Sequence, residues 1–151
     1  MYKRSFVLML AAVLLIGISC CKKITGNNGD KAENQQNKSL YQTNWILTKV
    51  GSKKVVREQD KKPVTLLLDA ESKNASGHAG CNRFNGQIKE TKDGISFGTI
   101  ASTKMMCPAA DMSLEESYFR ALEKVNNYLI TGNELQLRKG ETILLVFTAV
   151  E

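Results

Sequence analysis

At 151 residues and a formal charge of +6, the chain has room for one globular domain and is basic enough to raise the question of a nucleic-acid partner. The distribution of charge answers that question. Lys3, Arg4 and four further lysines fall before residue 45, and from Trp45 onward fifteen basic residues face thirteen acidic ones. So small an excess is no electrostatic footprint for DNA or RNA, and the composition speaks against a nucleic-acid partner.

The chain opens with Lys3 and Arg4 and an apolar run over residues 6–16, the layout of a secretory signal peptide. The run ends in Gly17-Ile18-Ser19-Cys20, which resembles the lipobox cleaved by bacterial lipoprotein signal peptidase, although Gly17 stands where leucine is commonest. It is shorter than the roughly 18 apolar residues of a spanning helix, so removal of residues 1–19 is expected rather than retention as an anchor. Cys20 then becomes a lipidated N-terminus, and its acyl chains exceed the two-signal threshold for stable membrane anchoring. Cys21 follows it and supplies no acidic retention signal. The expected location is the outer membrane, facing the periplasm.

Residues 20–44 carry the lipidated cysteine and then almost only polar or small side chains, with Ile24, Leu40 and Tyr41 as exceptions. Too little apolar surface is available to offset ordering entropy, which predicts a tether. The globular part is expected over residues 45–151. Short runs rich in β-branched and aromatic residues predict strands over residues 45–50, 64–68, 87–88, 95–100, 128–131, 134–138 and 142–148. Between the first two lie Lys53, Lys54, Arg57, Lys61 and Lys62, a basic run interrupted by Glu58 and Asp60. A solvated hairpin accounts for it, with contact to anionic lipid as the alternative. Gly132-Asn133 and Lys139-Gly140-Glu141 predict tight connections, so the last three strands should form consecutive hairpins.

One helix is expected against this β background. Ser113-Leu114-Glu115-Glu116 has the capping-box pattern, and Leu114, Tyr118, Ala121, Leu122 and Val125 recur at helical spacing through to about Asn127. The apolar stripe predicts a helix that covers the sheet.

Two segments carry more specific information. Ser76-Gly77-His78-Ala79-Gly80-Cys81-Asn82-Arg83-Phe84-Asn85-Gly86 is followed by Ser102-Thr103-Lys104-Met105-Met106-Cys107-Pro108. Together they resemble the META domain of HslJ-type envelope lipoproteins, whose signatures run G-x-A-G-C-N-x-F-x-G and S-T-x-M-x-C. The matching positions are Gly77, Gly80, Cys81, Asn82, Phe84, Gly86, Ser102, Thr103, Met105 and Cys107, while Ile88 and Met106 depart from common tyrosine and alanine. The resemblance extends over residues 43–150 and implies a mainly β domain: a strongly curved antiparallel sheet or half-barrel with one packed helix. It also implies a role in envelope stress or antibiotic tolerance, and binding of an acyl chain, a hydrophobic peptide or an envelope protein.

The residues can also be weighed without the family. Gly77, Gly80 and Gly86 suit tight bends or close backbone approach, and Asn82 and Asn85 suit turn capping. No strand-then-helix order follows the glycines, so a phosphate cradle of the nucleotide-binding type is not expected. Cys81 and Cys107, both in an oxidising envelope, are expected to form a structural disulfide. A redox-active pair is the weaker reading, since neither sits in a C-x-x-C motif at a helix start. His78, Cys81 and Cys107 as a zinc site, and Met105, Met106 and Met112 as a copper(I) site, are remote alternatives. At most one of Met105 and Met106 should face the core. His78, Cys81 and Asn82 are the residue types of a cysteine hydrolase but are adjacent rather than convergent. Asp69, Glu71, Asp93 and Asp111 are scattered. No enzymatic activity and no cofactor are expected. Two non-enzymatic readings remain: a binding module with an apolar cleft lined by Trp45, Leu66, Leu68, Phe97, Leu122 and Phe147, or a structural protein that fills the same space itself.

Overall fold

The computed structural model describes residues 36–92 and 94–150. Nine strands and one helix follow in the order β1 (Asn44–Val50), β2 (Lys53–Lys54), β3 (Thr65–Asp69), β4 (Asn74–His78), β5 (Arg83–Thr91), β6 (Gly94–Ser102), α1 (Ala109–Leu122), β7 (Asn127–Thr131), β8 (Glu134–Lys139) and β9 (Thr142–Val150). All pairings are antiparallel, in the spatial order β6-β5-β4-β3-β1-β9-β8-β7, with β2 added beside β1. The sheet curls into a half-barrel, as expected.

Alternation along the strands sets the two faces. Trp45 and Leu47 on β1, Leu66 and Leu68 on β3, Leu135 and Leu137 on β8, and Leu145 and Phe147 on β9 point into one core with Tyr118 and Leu122 of α1. Register shifts at Leu47/Lys49, Gly86/Ile88 and Leu137/Arg138 add the local twist that helps a broad sheet to curl. The last three strands are consecutive hairpins. The β8–β9 turn is two residues, because Lys139 pairs with Thr142 and belongs to the strand.

Four expectations need correction. The sheet contains β4, which was missed because Asn-Ala-Ser-Gly-His is poor in β-formers. It exists because both of its edges are taken, by β3 and β5. For the same reason β5 runs over nine residues rather than two. The helix starts at Ala109, where Pro108 occupies the cap with φ −53° and ψ 145° and no side-chain cap bond. Ser113 therefore lies inside the helix, and Glu116 pairs with Arg120 rather than closing a capping box. The helix also ends at Leu122, short of Asn127, although Val125 is buried beyond it.

The fourth correction concerns the tether. Lys38 N–H donates to the Gly132 carbonyl at 3.0 Å, Gly132 N–H donates to Asn37 Oδ1 at 2.7 Å, and Gln42 N–H donates to the Leu68 carbonyl at 3.0 Å. Leu40 is buried, and its carbonyl accepts from the Trp45 indole at 3.1 Å. Residues 37–44 are thus part of the domain. The leader, Cys20 and the earlier tether lie outside the described residues, among which no helix is long and apolar enough to cross a membrane.

Candidate functional site

Cys81, Asn82, Thr103, Met105 and Cys107, all singled out by the sequence, come together beside α1. A disulfide joins Cys81 and Cys107 with Cα atoms 5.9 Å apart. Asn82, the one buried polar residue among those described, sits beside it. Its Oδ1 accepts from Thr103 Oγ1 and from Met105 N–H, each at 2.8 Å. Its Nδ2 donates to Glu115 Oε1 at 3.0 Å and contacts Cys81 Sγ at 3.2 Å, while its backbone N–H donates to Glu115 Oε2 at 2.7 Å. The Asn82 carbonyl accepts from Ala79 N–H at 2.8 Å. One carboxamide thereby ties the β4–β5 turn, the segment after β6 and α1 into a satisfied network.

The other motif residues serve the same construction. A Cβ on Gly77 would lie 2.1 Å from the Thr65 carbonyl oxygen, so only glycine lets β3 and β4 approach this closely. Gly80 has φ +105°, a conformation that side-chain-bearing residues rarely adopt. Phe84 packs edge-on against Tyr118 and Phe119, and Ser102 pairs with Phe84 across β5 and β6. With both sulfurs in a disulfide, the zinc reading of His78, Cys81 and Cys107 fails for lack of thiolates. Among the described residues no group of three His, Cys, Asp or Glu could hold a metal. Met105, Met106 and Met112 are all exposed, so neither Met105 nor Met106 faces the core.

The six residues expected to line an apolar cleft lie elsewhere than a cleft. Trp45, Leu66, Leu68, Leu122 and Phe147 are each 0% exposed within the core, and Phe97 is half-buried against it. The space between sheet and helix is filled by these side chains. Even the Tyr118 hydroxyl has no hydrogen-bond partner there, and burial holds its pKa far above the ordinary tyrosine value.

A site that the sequence did not suggest lies on the opposite face of the sheet. There an open groove of about 1080 Å³ is lined from β3, β4, β5 and the end of β6. Register sets its floor in rows: Thr65 stands beside His78 and His78 beside Arg83, and in the next row Leu67, Ser76, Asn85 and Ala101 are neighbours. Lys62, from the loop before β3, adds a second cation at the rim, and Asn44 and Asn74 add carboxamides. No aspartate or glutamate lines it. Ion pairs among the described residues engage Lys61, Lys73 and Arg120 but neither Lys62 nor Arg83.

His78 lies at the centre of the row. Gly80 N–H donates to its Nδ1 at 3.3 Å, which leaves the proton of the neutral ring on Nε2. Partial burial, followed by Lys62 and then Arg83, pushes its pKa below the ordinary histidine value, with Glu115 as the one opposing charge. His78 thus lines the groove with two cations, Lys62 and Arg83, that form no ion pair among the described residues. Sequence reasoning considered His78 only as a partner for Cys81. The available signal was spacing: four residues separate His78 from Arg83 across a tight turn, which makes them cross-strand neighbours once β4 is recognised.

The META domain model matches residues 38–151. The chain belongs to the META domain family. Two solved structures are similar to it. An NMR structure of a protein from Burkholderia xenovorans has 28% identity and a TM-score of 0.61, covering 74% of this chain and 83% of its own. A second NMR structure has 26% identity and a TM-score of 0.55, covering 70% of this chain and 87% of its own. A comparison with curated proteins finds no match. The match beginning at residue 38 agrees with the packing of residues 37–44 onto the META domain.

Proposed function

We propose that this protein is an outer-membrane lipoprotein, anchored through Cys20, whose META domain acts in the periplasm as a non-enzymatic recognition module in envelope stress or antibiotic tolerance. Recognition runs through the polar groove of β3–β6, toward a polar ligand or a segment of an envelope protein. The observation that carries this reading is the contrast between a filled interior and an open groove whose cations form no ion pair among the described residues. A hydrophobic ligand between sheet and helix is not carried forward, because Trp45, Leu66, Leu68, Leu122 and Phe147 occupy that space. Asn82 is bonded to Thr103 and Glu115, and Cys81 to Cys107, which supports a structural role for these motif residues.

The test compares faces of the same anchored protein. A photoreactive side chain replaces Asn85 in the groove or, separately, Gln136 on β8, away from it. Crosslinks to an envelope component formed at position 85 and not at 136 are expected. Equal yields at both positions would remove the groove from the account. Loss of membrane retention in Cys20→Ala checks the anchor.

A further inference from the structure

We propose that the Thr65, His78 and Arg83 row, with Lys62 in the same groove, binds a phosphate-class oxyanion. The inference rests on the groove being the recognition face and names the chemistry that the groove would take. Arg83 presents a planar fork of donors, Lys62 a mobile ammonium, and His78 an Nε2–H whose direction is set by the bond from Gly80 to Nδ1. Hydroxyls of Ser76 and Ser102 line the same groove and can donate to further oxygens. A tetrahedral oxyanion with several acceptor atoms can use all three kinds of donor at once.

Electrostatics select the sign of the ligand. The charged groups acting on His78 are Lys62 from the loop, Arg83 from β5 and Glu115 from α1. Glu115 is engaged by the backbone and side chain of Asn82. The adjacent Lys61, in contrast, is bonded to Glu58 at 3.2 Å and Asp111 at 3.0 Å, and that pairing fixes the loop from which Lys62 projects. An anion arriving between Lys62 and Arg83 would relieve their mutual repulsion and favour protonation of His78. Binding should therefore tighten as pH falls through the histidine range.

His78 is the sole histidine of the chain, so one resonance reports on the site. Full-length protein with a labelled imidazole, in maltoside micelles, is titrated with acid in chloride and in inorganic phosphate at matched ionic strength. Phosphate should move the His78 midpoint upward, and Lys62→Gln/Arg83→Gln should abolish that movement while leaving the folded spectrum intact, because both side chains are exposed. Repeating the titration with dihexanoyl phosphatidate and with glycerol phosphate distinguishes the source. Response to phosphatidate at lower concentration assigns a lipid headgroup, and equal response assigns a soluble phosphate compound. The same midpoint in chloride and phosphate, or a movement that survives the double substitution, overturns the proposal. Face-selective crosslinking without a phosphate response would sink the anion site alone. A phosphate response with face-indifferent crosslinking would sink the recognition reading alone.

Discussion

Asn82 and Arg83 are neighbours in the chain and opposites in circumstance. Asn82 is buried and bonded to Thr103, Met105 and Glu115. Arg83 is exposed beside Lys62 and His78, with no carboxylate partner among the described residues. The Asn82 carboxamide is satisfied inside the fold, whereas the guanidinium of Arg83 is left available. A group already satisfied inside the fold contributes to stability, whereas a group left unpaired in a groove is free to contribute to recognition.

The comparison can be broken most forcefully at the disulfide. Cys81→Ala/Cys107→Ala should lower stability by about 3.5 kcal/mol on the chain-entropy estimate for a loop of this length, read from urea unfolding at equilibrium. A loss near zero would mean that the Asn82 network alone holds the segment after β6. Glu115→Gln comes next. It replaces an acceptor of two Asn82 bonds with a neutral amide and should cost about 2 kcal/mol in the same assay. Tyr118→Phe should have the opposite sign. Removing an unpaired buried hydroxyl should leave stability unchanged or raise it by about 1 kcal/mol, whereas a loss of that size would reveal a bound water or partner at the hydroxyl.

The smallest effect is expected in the groove. His78 has a depressed pKa in the fold, so the unfolded chain binds more protons in the window just below the ordinary histidine value. Stability should therefore fall modestly as pH drops through that window and level off below the folded pKa. His78→Gln should flatten this dependence, and an unchanged pH profile in the variant would assign it to another group.

Sequence and structure agree where the hydrophobic pattern is strong. The strands around Trp45, Leu66, Leu137 and Phe147 and the stripe through Tyr118 and Leu122 were legible because apolar periodicity determines which face is buried. β4 was not legible, since Asn74, Ser76 and Gly77 have weak strand preference and are recruited by pairing on both sides. The helix start was misplaced because a capping-box pattern at Ser113 competed with Pro108, which ends the preceding segment and stands at the cap just before the first turn. Of the sites, the Cys81–Cys107 bond was legible from cysteine count. The groove was not, because its residues are ordinary polar side chains that only the register of β3, β4 and β5 assembles.

The most direct test of this division is urea unfolding of Asn82→Ala and Arg83→Ala measured side by side. A loss of about 3 kcal/mol is expected for Asn82→Ala, which removes the carboxamide bonds to Glu115, Thr103 and Met105 and strands their buried groups, against a change within about 0.5 kcal/mol for Arg83→Ala. Comparable losses at the two positions, or a fully stable Asn82→Ala protein, would contradict it.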